Sequence, residues 1–186
     1  MKKWILCFVA LTFSVTAINA QSIYFTKNGK ISFFSKTPLE DIDAKNNAAA
    51  SKINSQTGDM EFQLLVKGFL FKKASMQQHF NEKDYIDSDN FPKGSFKGKI
   101  TDLSKVDFKK DGTYNVKVDG DLTIHGVTQK VAAAGIITVS GEKVNAKSTF
   151  VIRLKDYKVN VPSIVSQKIA ESVEIKVDCD YQLYKG

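Results

Sequence analysis

Between residues 113 and 125 the chain alternates without a break. Tyr114, Val116, Val118, Gly120, Leu122 and Ile124 fall on one side, and Thr113, Asn115, Lys117, Asp119, Asp121, Thr123 and His125 on the other. A period of two describes a strand with one buried face and one wet face. At ~3.3 Å per residue such a strand spans roughly 40 Å, which is long for an ordinary sheet. Strands of that length are best accommodated tilted around a closed barrel, which also leaves no exposed edge.

The pattern recurs along the chain. Met60, Phe62, Leu64 and Val66 alternate with polar residues, as do Val144, Ala146, Phe150, Ile152 and Leu154. Near the end Val173, Ile175, Val177, Cys179, Tyr181 and Leu183 repeat it, so Cys179 is expected to point inward as a small buried hydrophobe. Weaker strands fit residues 22–25, 30–35, 48–55, 93–103 and 127–140. The segments Asn28-Gly29, Thr57-Gly58-Asp59, Lys110-Asp111-Gly112 and Ser140-Gly141-Glu142 read as turns between antiparallel neighbours. Residues 71–94 break the pattern, and helical spacing of Lys73, Met76, Gln77 and Phe80 predicts a short helix over 74–81 and then an irregular loop. The expected fold is an all-β antiparallel barrel of about eight strands with that helix inserted.

The first twenty residues stand apart. Lys2 and Lys3 precede a run of apolar or small residues from Trp4 to Ile18, ending in Asn19-Ala20. This predicts a secretory leader cleaved after Ala20, leaving a single domain over residues 21–186. The run is shorter than the ~20 residues a spanning helix needs, and Ile5-Leu6 before Cys7 does not suit lipidation. Beyond the leader Cys179 is the only cysteine, so neither an internal disulfide nor a cysteine-ligated metal cluster is expected.

The net charge of +7 is spread over short lysine groups, the pattern of a solvated surface. Residues 67–74 begin like an RNA-binding strand signature, but Leu70 stands where a small residue belongs, and no nucleic-acid partner is expected. Residues 94–99 fall one residue short of a phosphate loop, and Ile100 follows where Ser or Thr is required. Neither His79 nor His125 lies in a metal-ligand spacing, and no nucleophile elbow is present. The chain is therefore expected to have no catalytic residue, metal or cofactor.

The inward faces carry aliphatic and aromatic side chains with almost no charge. An eight-stranded barrel either fills with such residues or holds one elongated ligand, and periodicity does not choose between the two. If hollow, the lumen favours a lipid-like molecule. Its expected lining is Phe62, Leu64, Phe69, Phe71, Met76, Phe80, Phe96, Tyr114, Val116, Val118, Ile124, Phe150 and Ile152.

The run from Gly120 to Thr128, with Leu122, Thr123, His125, Gly126 and Val127, resembles the signature of the YceI-like family of polyisoprenoid-binding, lipocalin-like barrel proteins of bacterial periplasms. His79, Phe80, Tyr85, Phe91, Pro92 and Phe96 upstream, and Asp156, Tyr157 and Pro162 downstream, are similar to further family segments. Over residues 65–76 the chain is more apolar than the family and lacks its Arg-Asp pair. The resemblance implies a barrel holding a long isoprenoid or similar amphiphile, in the periplasm or secreted, without catalytic machinery. A structural or stress-related barrel with a packed lumen acting through a protein partner, and after it a lipid-modifying enzyme, are the competing readings, and a homodimer is a compatible assembly. His125 is expected on the polar strand face, where a ring nitrogen ties down the corner at Gly126 by a hydrogen bond to backbone or to a side chain across the corner.

Overall fold

A computed structural model describes residues 23–160 and 169–184. The long strands form as the alternation predicts. They are β1 (Ile23–Lys36), β2 (Asp41–Asn54), β3 (Asp59–Leu65), β4 (Leu70–Phe71), β5 (Lys93–Ile100), β6 (Gly112–Ile124), β7 (Val127–Ser140), β8 (Lys143–Arg153) and β9 (Ser172–Leu183). The order is β1-β9-β8-β7-β6-β5-β3-β2, and β2 pairs back to β1, so the sheet closes into an eight-stranded antiparallel barrel with two-residue β4 beside β2. The helix α1 is Ala74–Asn81, as its spacing predicts.

Three sequence expectations change. Asn28-Gly29 is no turn: β1 runs through it with register shifts against both neighbours, because Gly29 is a bulge that lets the strand press on Cys179. A Cβ on Gly29 would lie 2.6 Å from the Cys179 Sγ. β2 begins at Asp41 rather than residue 48, since Asn46 is inward and still satisfied: it donates to the Leu65 carbonyl (2.9 Å) and accepts from Ala48 N–H (2.9 Å). β5 stops at Ile100, and a short 3₁₀ turn takes Leu103–Lys105.

One end of the barrel is solid. Tyr24, Ile53, Ile100, Phe108, Val139, Val144, Cys179 and Tyr181 interlock there. Tyr24 stacks on Phe108 at 5.5 Å between centroids, and the Tyr181 and Ser51 hydroxyls share a 2.8 Å hydrogen bond. Burial pushes the Cys179 thiol up to about 11 and raises the Tyr181 hydroxyl well above its ordinary value. Outside, opposite charges face one another across the strands, with Lys52 against Glu61, Glu61 against Lys97, Lys97 against Asp121, and Asp121 against Lys130. This ladder fixes register on the wet face.

The β7–β8 pair is only half made. Its register runs from Ser140 opposite Lys143 to Gly135 opposite Ser148 and stops there, although β7 continues back to Val127 and β8 forward to Arg153.

Candidate functional site

Above the solid end the barrel is hollow. A cavity of about 780 Å³ occupies the other half, within the range usual for ligand sites. Side-chain size explains why. Val131, Ala133 and Gly135 of β7 and Ala146 and Ser148 of β8 are inward residues along the middle of one wall, and all but Val131 are too small to reach the barrel axis. The opposite wall carries Phe62 and Phe96, directly paired with rings 6.1 Å apart. The far edge of the Phe96 ring reaches over Gly98 and Gly120, which face each other across β5 and β6. A Cβ on Gly120 would come within 2.5 Å of that ring and of the Lys97 carbonyl, so this position admits only glycine.

Twelve of the thirteen expected lining residues border the cavity: Phe62, Leu64, Phe69, Phe71, Met76, Phe80, Phe96, Val116, Val118, Ile124, Phe150 and Ile152. Tyr114 does not. It points inward at the solid end, where it packs on the core and donates its hydroxyl to the Lys110 carbonyl at 2.8 Å. Alternation gives the face of a strand but not the depth along the barrel. Ile31 and Phe33 of β1 also line the cavity and were missed, because the adjacent Phe33 and Phe34 are both apolar and leave the inward face of that short stretch ambiguous. Val173, Ile175 and Val177 of β9 add a wall that the alternation had placed inward.

A lid covers the end of the hollow half. Phe33, Phe69, Phe71 and Phe80 form one aromatic cluster, with Phe33 centroids 5.2, 5.8 and 5.6 Å from the other three. Contacts of this kind contribute ~0.5–1.5 kcal/mol each beyond area burial. The helix carrying Met76 and Phe80 has no side-chain N-cap, no acidic residue in its first turn and no fully buried residue. A two-turn helix without caps at its start, held by apolar contacts and a few hydrogen bonds such as Phe71 N–H to Gln77 Oε1, opens at low cost. Lys73 pairs with Glu40 at 2.7 Å beside it, and His79 with Glu82 at 3.3 Å.

The Gly120–Thr128 run now has a physical account. His125 and Gly126 both have positive φ, 51° and 70°, so they are the two central residues of a type I′ hairpin turn between β6 and β7. His125 therefore lies in the turn and not on the polar strand face. Its ring nitrogen does meet backbone, but on a third segment: Nδ1 is 3.2 Å from the carbonyl oxygen of Tyr157, in the 3₁₀ turn Leu154–Tyr157 after β8. Gly126 sits under the Phe91 ring, 2.6 Å from where a Cβ would be. Thr123 and Thr128 share a 2.8 Å hydroxyl contact on the outer face, while Leu122, Ile124 and Val127 pack with Ile152, Tyr157 and Val173. Pro162 and the leader lie outside the described residues.

Among the described residues no three His, Cys, Asp or Glu side chains converge as a metal site, and no helix is long and apolar enough to cross a membrane.

A YceI-like domain model matches residues 10–181. Similar proteins include a UPF0312 protein of Pseudomonas putida (strain W619), 25% identical over 109 residues, covering 55% of this chain and 53% of the relative. A UPF0312 protein of Pseudomonas savastanoi pv. phaseolicola is 25% identical over 126 residues, covering 64% and 58%. The chain thus spans little more than half the length of these relatives. Among solved structures, a polyisoprenoid binding domain from Saccharophagus degradans implicated in plant cell wall breakdown superposes with a TM-score of 0.75 at 10% identity, covering 88% of this chain and 99% of that one. Burkholderia cenocepacia BcnA gives 0.69 at 18% identity, covering 82% and 95%. These two likenesses show the same fold, and the domain match extends over nearly all of the described barrel: the chain belongs to the YceI-like family.

Proposed function

We propose that this protein binds a long hydrophobic molecule, an isoprenoid or another lipid-like chain, inside the barrel, and does so outside the cytoplasm. The observation that carries the reading is the hollow half itself. It is a cavity of about 780 Å³ walled by Phe, Leu, Ile, Val and small residues, floored by a packed core and lidded by a weakly anchored helix. An apolar chain entering it leaves water at a gain of ~25 cal/mol per Å² buried. The titratable side chains that border it on the lid side are Glu40, Lys73, His79 and Tyr85, which leaves the depth of the lumen apolar and suited to a ligand with one polar end. The polyisoprenoid-binding description of the similar Saccharophagus domain supports the same ligand class. The twelve lining residues are the proposed contacts, and the reading assigns the lumen a binding role without a chemical step.

The leader-like residues 1–20 support export, with residues 21–186 acting as one domain. Protein purified from its native compartment, extracted with organic solvent and analysed by mass spectrometry, is expected to release a long-chain amphiphile in near-stoichiometric amount. A clean extract, together with failure of the protein to take up fluorescent fatty-acid or isoprenoid analogues, contradicts the reading.

A further inference from the structure

The upper half of the barrel wall has a slit. Continuing the β7–β8 register beyond Gly135 and Ser148 would set Ala133 opposite Phe150 and Val131 opposite Ile152, but the described strands do not pair there. Each strand is still held on its other side, β7 by β6 as far as Val127 and β8 by β9 as far as Arg153. Both are ordered strands that part from one another. Two side chains brace the ends of the gap. Ser148 Oγ donates to the Ala134 carbonyl at 2.7 Å, and Gln129 Nε2 donates to the Asp156 carbonyl at 2.8 Å.

Two further observations give the slit a role. Ile136 and Lys147, a paired rung just below the gap, stand on the outer face by parity, yet they border the same cavity as Val131, Ala133 and Phe150, so the lumen reaches toward the surface at the lower end of the gap. The β7 lip is also apolar, and the β8 lip carries Thr149 and Val151. Ala132 and Ala134 are exposed, Ile136 is 43% exposed and Val151 64% exposed. By contrast, the outer faces of β6 and β9 are polar throughout, with Thr113, Asn115, Lys117, Asp119, Asp121 and Thr123 on the former. An apolar strip beside an opening into an apolar lumen is matched to a chain that passes from one to the other, and unpaired backbone groups along the edges remain wet.

We infer that the β7–β8 slit is a lateral portal, and that a long-chain amphiphile enters and leaves the lumen sideways across the lips formed by Ala132, Ala134, Ile136 and Val151. The inference rests on the proposed ligand class for its cargo, but the opening itself is testable without any ligand.

The test has two arms on the full chain. In the first, Ala133→Cys behind the slit and Val118→Cys on the continuously paired β6 are treated with a bulky charged maleimide, with the parent as baseline. Ala133→Cys is expected to react at least about tenfold faster, a difference of ~1.4 kcal/mol in barrier. Equal, slow labelling of the two folded variants overturns the portal. In the second, Ala132→Cys with Val151→Cys is bridged by a short bis-maleimide, with Ala134→Cys replacing Ala132→Cys if the first pair does not fold. Release of a bound fluorescent fatty-acid analogue is expected to slow at least about tenfold. A bridge between Glu40→Cys and Lys73→Cys, across the lid, is expected to change release far less. Unchanged release with the slit bridged, and arrested release with the lid bridged, overturns the portal in favour of the lidded end. Rapid Ala133→Cys labelling in a protein that binds no analogue sinks the ligand reading and leaves the opening standing.

Discussion

The imidazole of His125 spans from the β6–β7 turn to the backbone of Tyr157, Nδ1 to carbonyl oxygen 3.2 Å, with its ring edge-on to Phe91 at 4.4 Å. A carbonyl only accepts, so Nδ1 carries the proton in this contact. The bond joins the hairpin to the connection that follows β8, on either side of the upper end of the slit.

His125→Ala removes one hydrogen bond worth ~0.5–1.5 kcal/mol. Thermal denaturation should show a melting temperature lower by a few degrees, while affinity for a fluorescent analogue stays within a few-fold. Gly126→Ala should be the more damaging change, because it combines a φ of 70° with a Cβ pressed to within 2.6 Å of the Phe91 ring. Normal melting of His125→Ala together with lost binding would place the imidazole on the ligand instead.

Aspartate scanning should separate the solid end from the hollow one. Val144 is 1% exposed in the packed core, and Val144→Asp leaves a charge with neither water nor partner, at a cost of ~3–5 kcal/mol or more. That is enough to unfold a domain of ~5–15 kcal/mol total stability. Val118 faces the lumen, where the cavity has room to hydrate a carboxylate. Val118→Asp should therefore stay folded by circular dichroism and lose hydrophobic-ligand binding. Equal collapse of both variants would mean that the lumen is packed.

Alkaline pH should weaken the fold from its solid end. Burial raises the Cys179 thiol from 9.0 to about 11 and raises Tyr181 as well, so the folded state holds these protons more tightly than the unfolded chain. Their contribution is fully present below pH 9 and is lost as pH climbs through 9 to about 11. Melting temperatures attributable to these groups should be level between about pH 6 and 8 and fall above 9, and Cys179 should resist alkylation at pH 8 in the folded protein. Prompt alkylation there would contradict its burial.

Much of the barrel was legible in the sequence because a half-buried strand has to alternate. β7 and α1 form over the residues that pattern and helical spacing predict. What was hidden has physical causes. Asn28-Gly29 has turn chemistry, yet long-range packing on Cys179 makes it a bulge, and the neighbouring Phe33 and Phe34 leave the inward face undecided by parity. Tyr114 has the right face at the wrong depth. His125 continues the polar alternation by one residue only because the first central position of a type I′ turn needs a positive φ, which His adopts more readily than most non-glycine residues. The hollowness was recoverable from Ala133, Gly135, Ala146 and Ser148, whose sizes matter more than their alternation.

The most direct measurement is a fluorescence titration of the parent protein and of Ala133→Phe with one isoprenoid or fatty-acid analogue. The ring of Ala133→Phe has open lumen in front of it, so this variant should fold and melt within a few degrees of the parent or above it, since filling a void is stabilising. The account predicts saturable one-to-one binding by the parent and at least about a tenfold loss, ~1.4 kcal/mol, in the filled variant. Equal binding by both proteins, or none by a delipidated parent, would contradict a ligand held in the lumen.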